Sequence, residues 1–317
     1  MMMPPILYGT AWKKEKTAEL VRLAVKSGFR GIDTACQPKH YDEAGVGEGW
    51  STAAQEVGLN REDLFIQTKF TPLRGQDQQS VPYDPTAPLA EQVRQSVSKS
   101  LENLKTTYLD SLILHSPLKT LEETLTVWRG FEEAVAAGQV RGMLGISNCY
   151  DLNTLKALCD ATPPLTVPVS IVQNRFYKDS GFDTELRKFC RERGIIYQSF
   201  WTLTANRHAL ASPEVVSLAA AVSERMEVGS GGGGGVVTPQ QLMFAFVSDA
   251  LGIVPLSGTT SLEHMHQDLE IMDVVCKGRE VGKGRMSSSD AHSEEGKLLS
   301  KVEKEEMARI LGMPRLG

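Results

Sequence analysis

Short apolar runs recur along the chain, and between them lie longer stretches whose apolar residues return every three or four positions. The runs occupy residues 6–10, 29–32 (stopping at Asp33), 64–70, 111–115, 141–147, 169–174, 195–200 and 252–257. Runs of this length mark buried strands, whereas the wider spacing marks one face of a helix. Helices are expected over 17–27, 49–57, 90–104, 121–137, 152–160, 182–193, 238–250, 261–272 and 297–311. Gly28 and Gly138 fall where two of them stop, the position that favours glycine. Strand signals alternating with helices predict a parallel sheet with crossover helices, and eight such units predict a closed α/β barrel, the (β/α)8 TIM barrel.

Three stretches fall outside the alternation. Residues 71–88, rich in Pro, Gln, Asp and Gly, are longer than an ordinary strand-to-helix link and predict a loop over a site. Residues 227–237, with five consecutive glycines from Gly231 to Gly235, and the polar stretch 277–296 predict flexible inserts in a single barrel domain spanning 1–317.

Composition narrows the functional classes. An apolar content of 41% and a charged content of 23% suit a globular chain with a sizeable core, and a net charge of -5 disfavours a nucleic-acid or anionic-membrane partner. Five widely spaced cysteines without a CxxC pair suggest neither a disulfide framework nor a zinc site, and fit a reducing compartment. No basic segment precedes an apolar stretch at the start, and no run approaches the ~18 apolar residues of a membrane span. The expectation is a cytoplasmic protein, monomeric or weakly oligomeric, acting on a small molecule.

The chemistry gathers at strand ends. Asp33 ends the second apolar run, Lys69 lies near the end of the third and His115 closes the fourth, while Tyr41 lies eight residues past Asp33 in a loop of charge and glycine. A carboxylate at a buried strand end needs a cation, and Lys69 supplies one. Singly, each has an ordinary explanation: a cap for Asp33, core or rim for Tyr41, a solvated strand end for Lys69, a satisfied core histidine for His115. At consecutive strand ends of a parallel barrel the three converge on one face, with Tyr41 folded over them. Lys69 is expected to lower the pKa of the phenol, making Tyr41 a general acid toward a carbonyl oxygen that His115 orients. Reduction also needs a hydride source. Ser257, Gly258, Thr259, Thr260 and Ser261 precede a helix, where hydroxyls, backbone N–H groups and the helix dipole suit a phosphate. No GxGxxG follows the first strand, so a Rossmann site has no support.

On these residues the chain resembles the aldo-keto reductase superfamily, NAD(P)H-dependent (β/α)8 barrels, from about residue 6 to 272 and in the last helix. GFRGIDTA is similar to the family's GYRHIDTA and carries Asp33; HYDEAGVG carries Tyr41, IQTKF carries Lys69 and LDSLILHSP carries His115. The resemblance implies a catalytic role for these four. It further implies that Ser147 and Asn148 of GISN, with Gln173 of VQN, hold the nicotinamide carboxamide, and that Ser199 and Leu203 contact the pyrophosphate. Thr10, Ala11 and Trp12 after the first strand join the cofactor set. Ser257, Gly258, Thr259, Thr260 and His264 would clasp the adenosine phosphate, with Gln267 and Asp268 at the adenine. The implied activity is reduction of aldehydes or ketones with NADPH, NADH being possible, and no metal.

The chain departs from the family pattern in places. The tyrosine loop is one residue shorter than YxNExxVG, and the basic residues usual for the 2'-phosphate are replaced near Gly258 and His264. The tyrosine that stacks on nicotinamide is replaced by Gln198, leaving stacking to Phe200 or Trp201. The hairpin that plugs the barrel bottom is expected to be missing, and the third substrate loop falls at 277–296. Two other classes compete: a cofactor-binding, redox-sensing regulatory subunit with little turnover, and a metal-dependent barrel hydrolase. None of the six histidines forms an HxH or His/Asp cluster at a strand end, which leaves the hydrolase weakest.

Overall fold

Eight parallel strands hydrogen-bond in chain order and close on themselves, the barrel the alternation predicts. They are β1 Leu7–Gly9, β2 Gly31–Asp33, β3 Phe65–Phe70, β4 Leu109–Leu114, β5 Val140–Ser147, β6 Val169–Arg175, β7 Ile196–Phe200 and β8 Val254–Ser257. Closure comes from β1 against β8, Leu7 opposite Leu256 and Tyr8 opposite Ser257. This computed structural model describes residues 3–229, 236–284 and 298–315.

The helices that cover the strands are α1 Thr17–Ser27, α2 Glu43–Val57, α3 Leu89–Asn103, α4 Leu121–Ala136, α5 Leu152–Cys159 and α6 Thr184–Glu192. Beyond β7 come α7 Arg207–Leu210, α8 Pro213–Gly229 and α9 Pro239–Ala245, then α10 Leu262–Gly284 and α11 Lys301–Leu311 after β8. Local chemistry sets their ends. Asp42 accepts from Gly45 N at the start of α2, and Thr120 and Glu123 form a reciprocal capping box on α4. Gly28, at φ 120°, closes α1 in a conformation that side chains resist.

The two faces of each strand part company, as a period of two requires. Ile32, Ile66, Leu112, Leu144 and Val172 point outward into the main core shared with the helices. Phe65 points inward and packs with Leu7 and Leu256 in a small separate cluster at the barrel bottom. Gln67 and Lys69 share that inward face, two and four residues further up β3. Alternation alone therefore delivers Lys69 to the upper barrel interior.

Several boundaries differ from the sequence expectation. Helix α2 begins at Glu43 rather than near residue 49, because the glycines that suggested a loop are packing surfaces. Helices α7 and α8 had no counterpart in the expected elements, although Val215, Ala219 and Val222 are buried in the core. Phe182 and Asp183 adopt left-handed φ of 53° and 51°, which delays α6 to Thr184. The expected insert at 277–296 is helical at its start, since α10 continues to Gly284, and the one at 227–237 likewise yields its first residues to α8. Their remainders, residues 230–235 and 285–296, lie outside the described residues.

Candidate active site

The floor of the site is a buried polar cluster inside the barrel. Lys69 Nζ donates to Asp33 Oδ2 at 2.6 Å and to the carbonyl of Thr34 at 2.8 Å. Asp33 Oδ1 accepts from Gln67 Nε2 at 2.7 Å and from Gln173 Nε2 at 2.9 Å. Gln198 completes the layer, its Oε1 accepting from Gln173 at 2.8 Å and from Gln67 at 2.9 Å. A buried carboxylate with an ammonium and two amide donors has its charge compensated. Burial pushes the Lys69 pKa below its ordinary value, and Asp33 only partly restores it.

Tyr41 stands over this floor. Its ring centroid is 5.2 Å from Lys69 Nζ and 5.9 Å from the His115 ring, which it meets edge-on at 69°. The sequence places the phenol under the influence of Lys69 and expects a lowered pKa. In the folded chain the pKa is instead raised, by burial and by the negative charge of Asp33. The Lys69 ammonium, paired with Asp33, does not offset that burial. His115 is pushed down to about 3 by burial and by the charges of Lys69 and His40, which leaves a neutral imidazole across the physiological range. Thr71 Oγ1 lies 2.6 Å from His115 Nδ1. With the hydroxyl as donor, the ring proton resides on Nε2, the nitrogen left free to donate to a ligand.

A cavity of about 1160 Å³ opens above these groups, lined by Asp33, Tyr41 and His115 and also by Gly258, His264 and Gln267. Most residues of the expected cofactor set line it: Ala11 and Trp12; Ser147, Asn148 and Gln173; Leu203; Ser257, Thr259 and Thr260; and Asp268. Ser147 Oγ donates to the Gln173 carbonyl at 2.7 Å, and Asn148 Nδ2 donates to the His115 carbonyl at 2.9 Å. Ser257 Oγ donates to Asp268 Oδ2 at 2.6 Å, and burial pushes that carboxyl up to about 7.

Two expected cofactor residues are not on the cavity wall. Thr10 is buried with its hydroxyl on the Asp33 carbonyl, and Ser199 is buried with its hydroxyl 2.7 Å from Thr202 Oγ1. Gln198 is likewise in the floor rather than at a stacking position. Phe200 is two residues further along β7, hence on the same face and nearer the mouth, and it lines the cavity beside Trp201.

Two contributors were missed. Lys13 lines the cavity and donates to the carbonyls of Gly258 and Thr259, the latter at 3.3 Å, tying β1 to the loop after β8; burial lowers it to about 8. Nothing in a lysine pair after a short strand signals such a contact. The sequence places Thr71 only in a long loop, and its position beside His115 depends on the pairing of β3 with β4. Among the described residues no three His, Cys, Asp or Glu side chains gather as a metal would require, so the hydrolase reading acquires no centre.

Fold and site together define a (β/α)8 barrel with a tyrosine and a neutral histidine lining one cavity and an Asp–Lys pair beside them. The model of the Aldo/keto reductase family matches residues 5–283. The chain belongs to this family. It is 32% identical over 181 residues to the glyoxal reductase of Bacillus subtilis, covering 57% of this chain and 55% of that protein. Against the NAD/NADP-dependent indole-3-acetaldehyde reductase of Schizosaccharomyces pombe it is 26% identical over 279 residues, 84% of each. The chain spans about half to two thirds of the length of several curated relatives it matches. Its fold is similar to that of the aldose reductase from Schistosoma japonicum, with a TM-score of 0.71 at 18% identity, covering 100% of this chain and 91% of that one.

Proposed function

We propose that the protein is an NAD(P)H-dependent reductase converting aldehydes or ketones to alcohols, with Tyr41 as the proton donor. The observation that carries this reading is the meeting of three groups beside the cavity. These are a protonated phenol without a hydrogen-bond partner for its hydroxyl among the described residues, a neutral His115 with Nε2 to spare, and the buried Lys69–Asp33 pair behind them. A carbonyl oxygen held between Tyr41 Oη and His115 Nε2 gains two donors where negative charge develops. The phenol delivers its proton to that oxygen, and Lys69 stabilises the phenolate left behind.

The cavity suits a dinucleotide. Ser147, Asn148 and Gln173 would hold the carboxamide and Phe200 the ring face. Thr259, Thr260 and Gly258, with Lys13 beside them, would meet the phosphates, and His264, Gln267 and Asp268 the adenosine. A bound nicotinamide supplies the hydride. NADPH is the proposed cofactor, with NADH accepted. The buried thiols of Cys36, Cys149 and Cys190 accord with a cytoplasmic, reducing location, and we infer a monomer or weak oligomer without nucleic-acid partners.

Absorbance at 340 nm under a panel of aldehydes and ketones, with NADPH and NADH in parallel, tests the proposal. Turnover that vanishes in Tyr41→Phe is expected. Tight cofactor binding with no turnover on any carbonyl would instead favour a regulatory subunit.

A further inference from the structure

Arg175 ends β6 and lines the cavity, yet none of the ion pairs or side-chain hydrogen bonds among the described residues involves its guanidinium. It is held by aromatic faces instead, its Cζ 4.2 Å from the centroid of Trp201 and 5.1 Å from that of Tyr177. Its Nε is sealed from solvent without a partner. Tyr150 braces the same corner, accepting from Arg175 N at 3.2 Å and donating to Asn148 Oδ1 at 3.4 Å. Flanking rings fix the plane of a guanidinium without using its N–H donors, so the outer edge of the fork stays available.

The placement gives that edge a target. Gln173 and Arg175 share one face of β6, and two residues of strand raise Arg175 by roughly 6.6 Å above the floor. The cation therefore stands higher on the wall whose base holds Gln173, and faces the same cavity as Tyr41 and His115. The expected phosphate loop has a cation of its own, since Lys13 is anchored on the carbonyls of Gly258 and Thr259.

We infer that Arg175 is a specificity-determining residue that receives the carboxylate of a carbonyl substrate, so that the preferred substrates are oxo acids or aldehydes carrying a carboxylate a few atoms from the reacting carbon. This rests on the reductase reading proposed above. Two terminal N–H groups of one guanidinium match two carboxylate oxygens, and the partly enclosed setting strengthens the pair.

The test compares 4-carboxybenzaldehyde with its methyl ester, nearly equal in shape and different in charge. With NADPH the acid is expected to have the lower KM in the wild type. Arg175→Met should raise the KM of the acid roughly 10- to 100-fold, the usual scale for losing a charged hydrogen-bonding partner, while leaving that of the ester within about twofold. Arg175→Lys should fall between, and the Kd of NADPH from protein fluorescence should not move. Equal KM values for acid and ester in the wild type would overturn the inference. So would a weakened NADPH Kd in Arg175→Met with equal loss on both substrates, which would assign the cation to the cofactor. Calorimetric titration with 4-(hydroxymethyl)benzoate and its methyl ester decides the matter even if no carbonyl is turned over. Preferential binding of the acid that Arg175→Met abolishes sustains the inference although the reductase reading fails, and absence of that preference sinks it.

Discussion

Lys69 Nζ sits 2.6 Å from Asp33 Oδ2 but 5.2 Å from the centroid of the Tyr41 ring, so the carboxylate has first claim on the ammonium. The phenol consequently stays protonated, its pKa raised by burial and by Asp33. That is the state a proton donor needs before reaction. The acidity must develop as charge moves onto the carbonyl oxygen. Tyr41→Phe should therefore lower kcat/KM by roughly 10² or more while leaving the Kd of NADPH unchanged, because only the transition state uses the hydroxyl. Near-wild-type turnover of the Phe variant would remove Tyr41 from the chemistry.

The two halves of the buried pair are not equivalent. Without Lys69, Asp33 keeps the amides of Gln67 and Gln173; without Asp33, Lys69 keeps only the Thr34 carbonyl. An abandoned buried charge costs on the order of 3 kcal/mol. Urea unfolding should show Asp33→Asn to be the more destabilising, with Lys69→Met milder in stability yet more damaging to turnover. The opposite order of stabilities would mean that the amides do not hold the carboxylate.

The Thr71–His115 contact makes a separate prediction. If the Thr71 hydroxyl fixes the proton on Nε2, Thr71→Val frees the ring to adopt either tautomer and removes a hydrogen bond worth about 1 kcal/mol. The expected result is a fall in kcat of roughly 5- to 10-fold with an unchanged cofactor Kd. Nitrogen-15 chemical shifts of the ring report the tautomer directly, and a ring still protonated on Nε2 in the variant would show that Thr71 is dispensable.

Stability should depend on pH through two groups of opposite sign. His115 is held at about 3 against its ordinary 6.5, so its contribution is full above about 6.5 and is lost as pH falls toward 3. Asp268 is held at about 7 against 3.8, so its contribution is full below about 3.8 and is lost as pH rises toward 7. Between roughly 4 and 6.5 the two slopes oppose one another in the wild type. Asp268→Asn should leave a stability that climbs with pH across that window, and His115→Gln one that declines. Melting temperatures of the three proteins from pH 4 to 8 check the signs, and parallel curves would contradict both assignments.

Much of this was legible from strand ends. Asp33, Lys69 and His115 announce themselves because three ionisable side chains fall at or near the ends of three consecutive apolar runs, and barrel topology does the rest. Details that depend on how high along a strand a residue sits were less visible. Gln198 takes a position assigned to stacking by resemblance, but it lies within the floor and Phe200, two residues higher, lines the cavity, a distinction set by strand register. Lys13 and Thr71 are not found from the sequence because their partners, Gly258 and His115, are distant in sequence and follow other strands. The expected lowering of the Tyr41 pKa failed for a related reason. Sequence identifies the charges, but not the burial of the phenol that outweighs them.

Gly45, Gly47 and Gly49 imitate a loop in the sequence, yet they lie in α2. A Cβ at Gly47 would run into the carbonyl of Asn103 and the backbone of Leu104, while one at Gly49 would lie 2.5 Å from the carbonyl of Ala18. These glycines let α2 lie against α1 and the end of α3. On that seam Glu43 also accepts from Ser100 Oγ at 2.9 Å and Trp50 Nε1 donates to Leu104 O at 2.8 Å. Backbone cannot swing aside as a side chain can, so Gly47→Ala must push the helices apart, for ~2 kcal/mol or more, despite a helix propensity that favours alanine by about 1 kcal/mol. Gly58 is the control. At φ 70° with open space around it, Gly58→Ala incurs only the left-handed penalty of about 1 kcal/mol. Urea midpoints should rank Gly47→Ala below Gly58→Ala. Because Asp42 caps α2 directly after Tyr41, displacement of the helix should lower kcat/KM in Gly47→Ala and not in Gly58→Ala. A Gly47→Ala protein as stable and as active as Gly58→Ala would mean that this seam is looser than its glycines indicate.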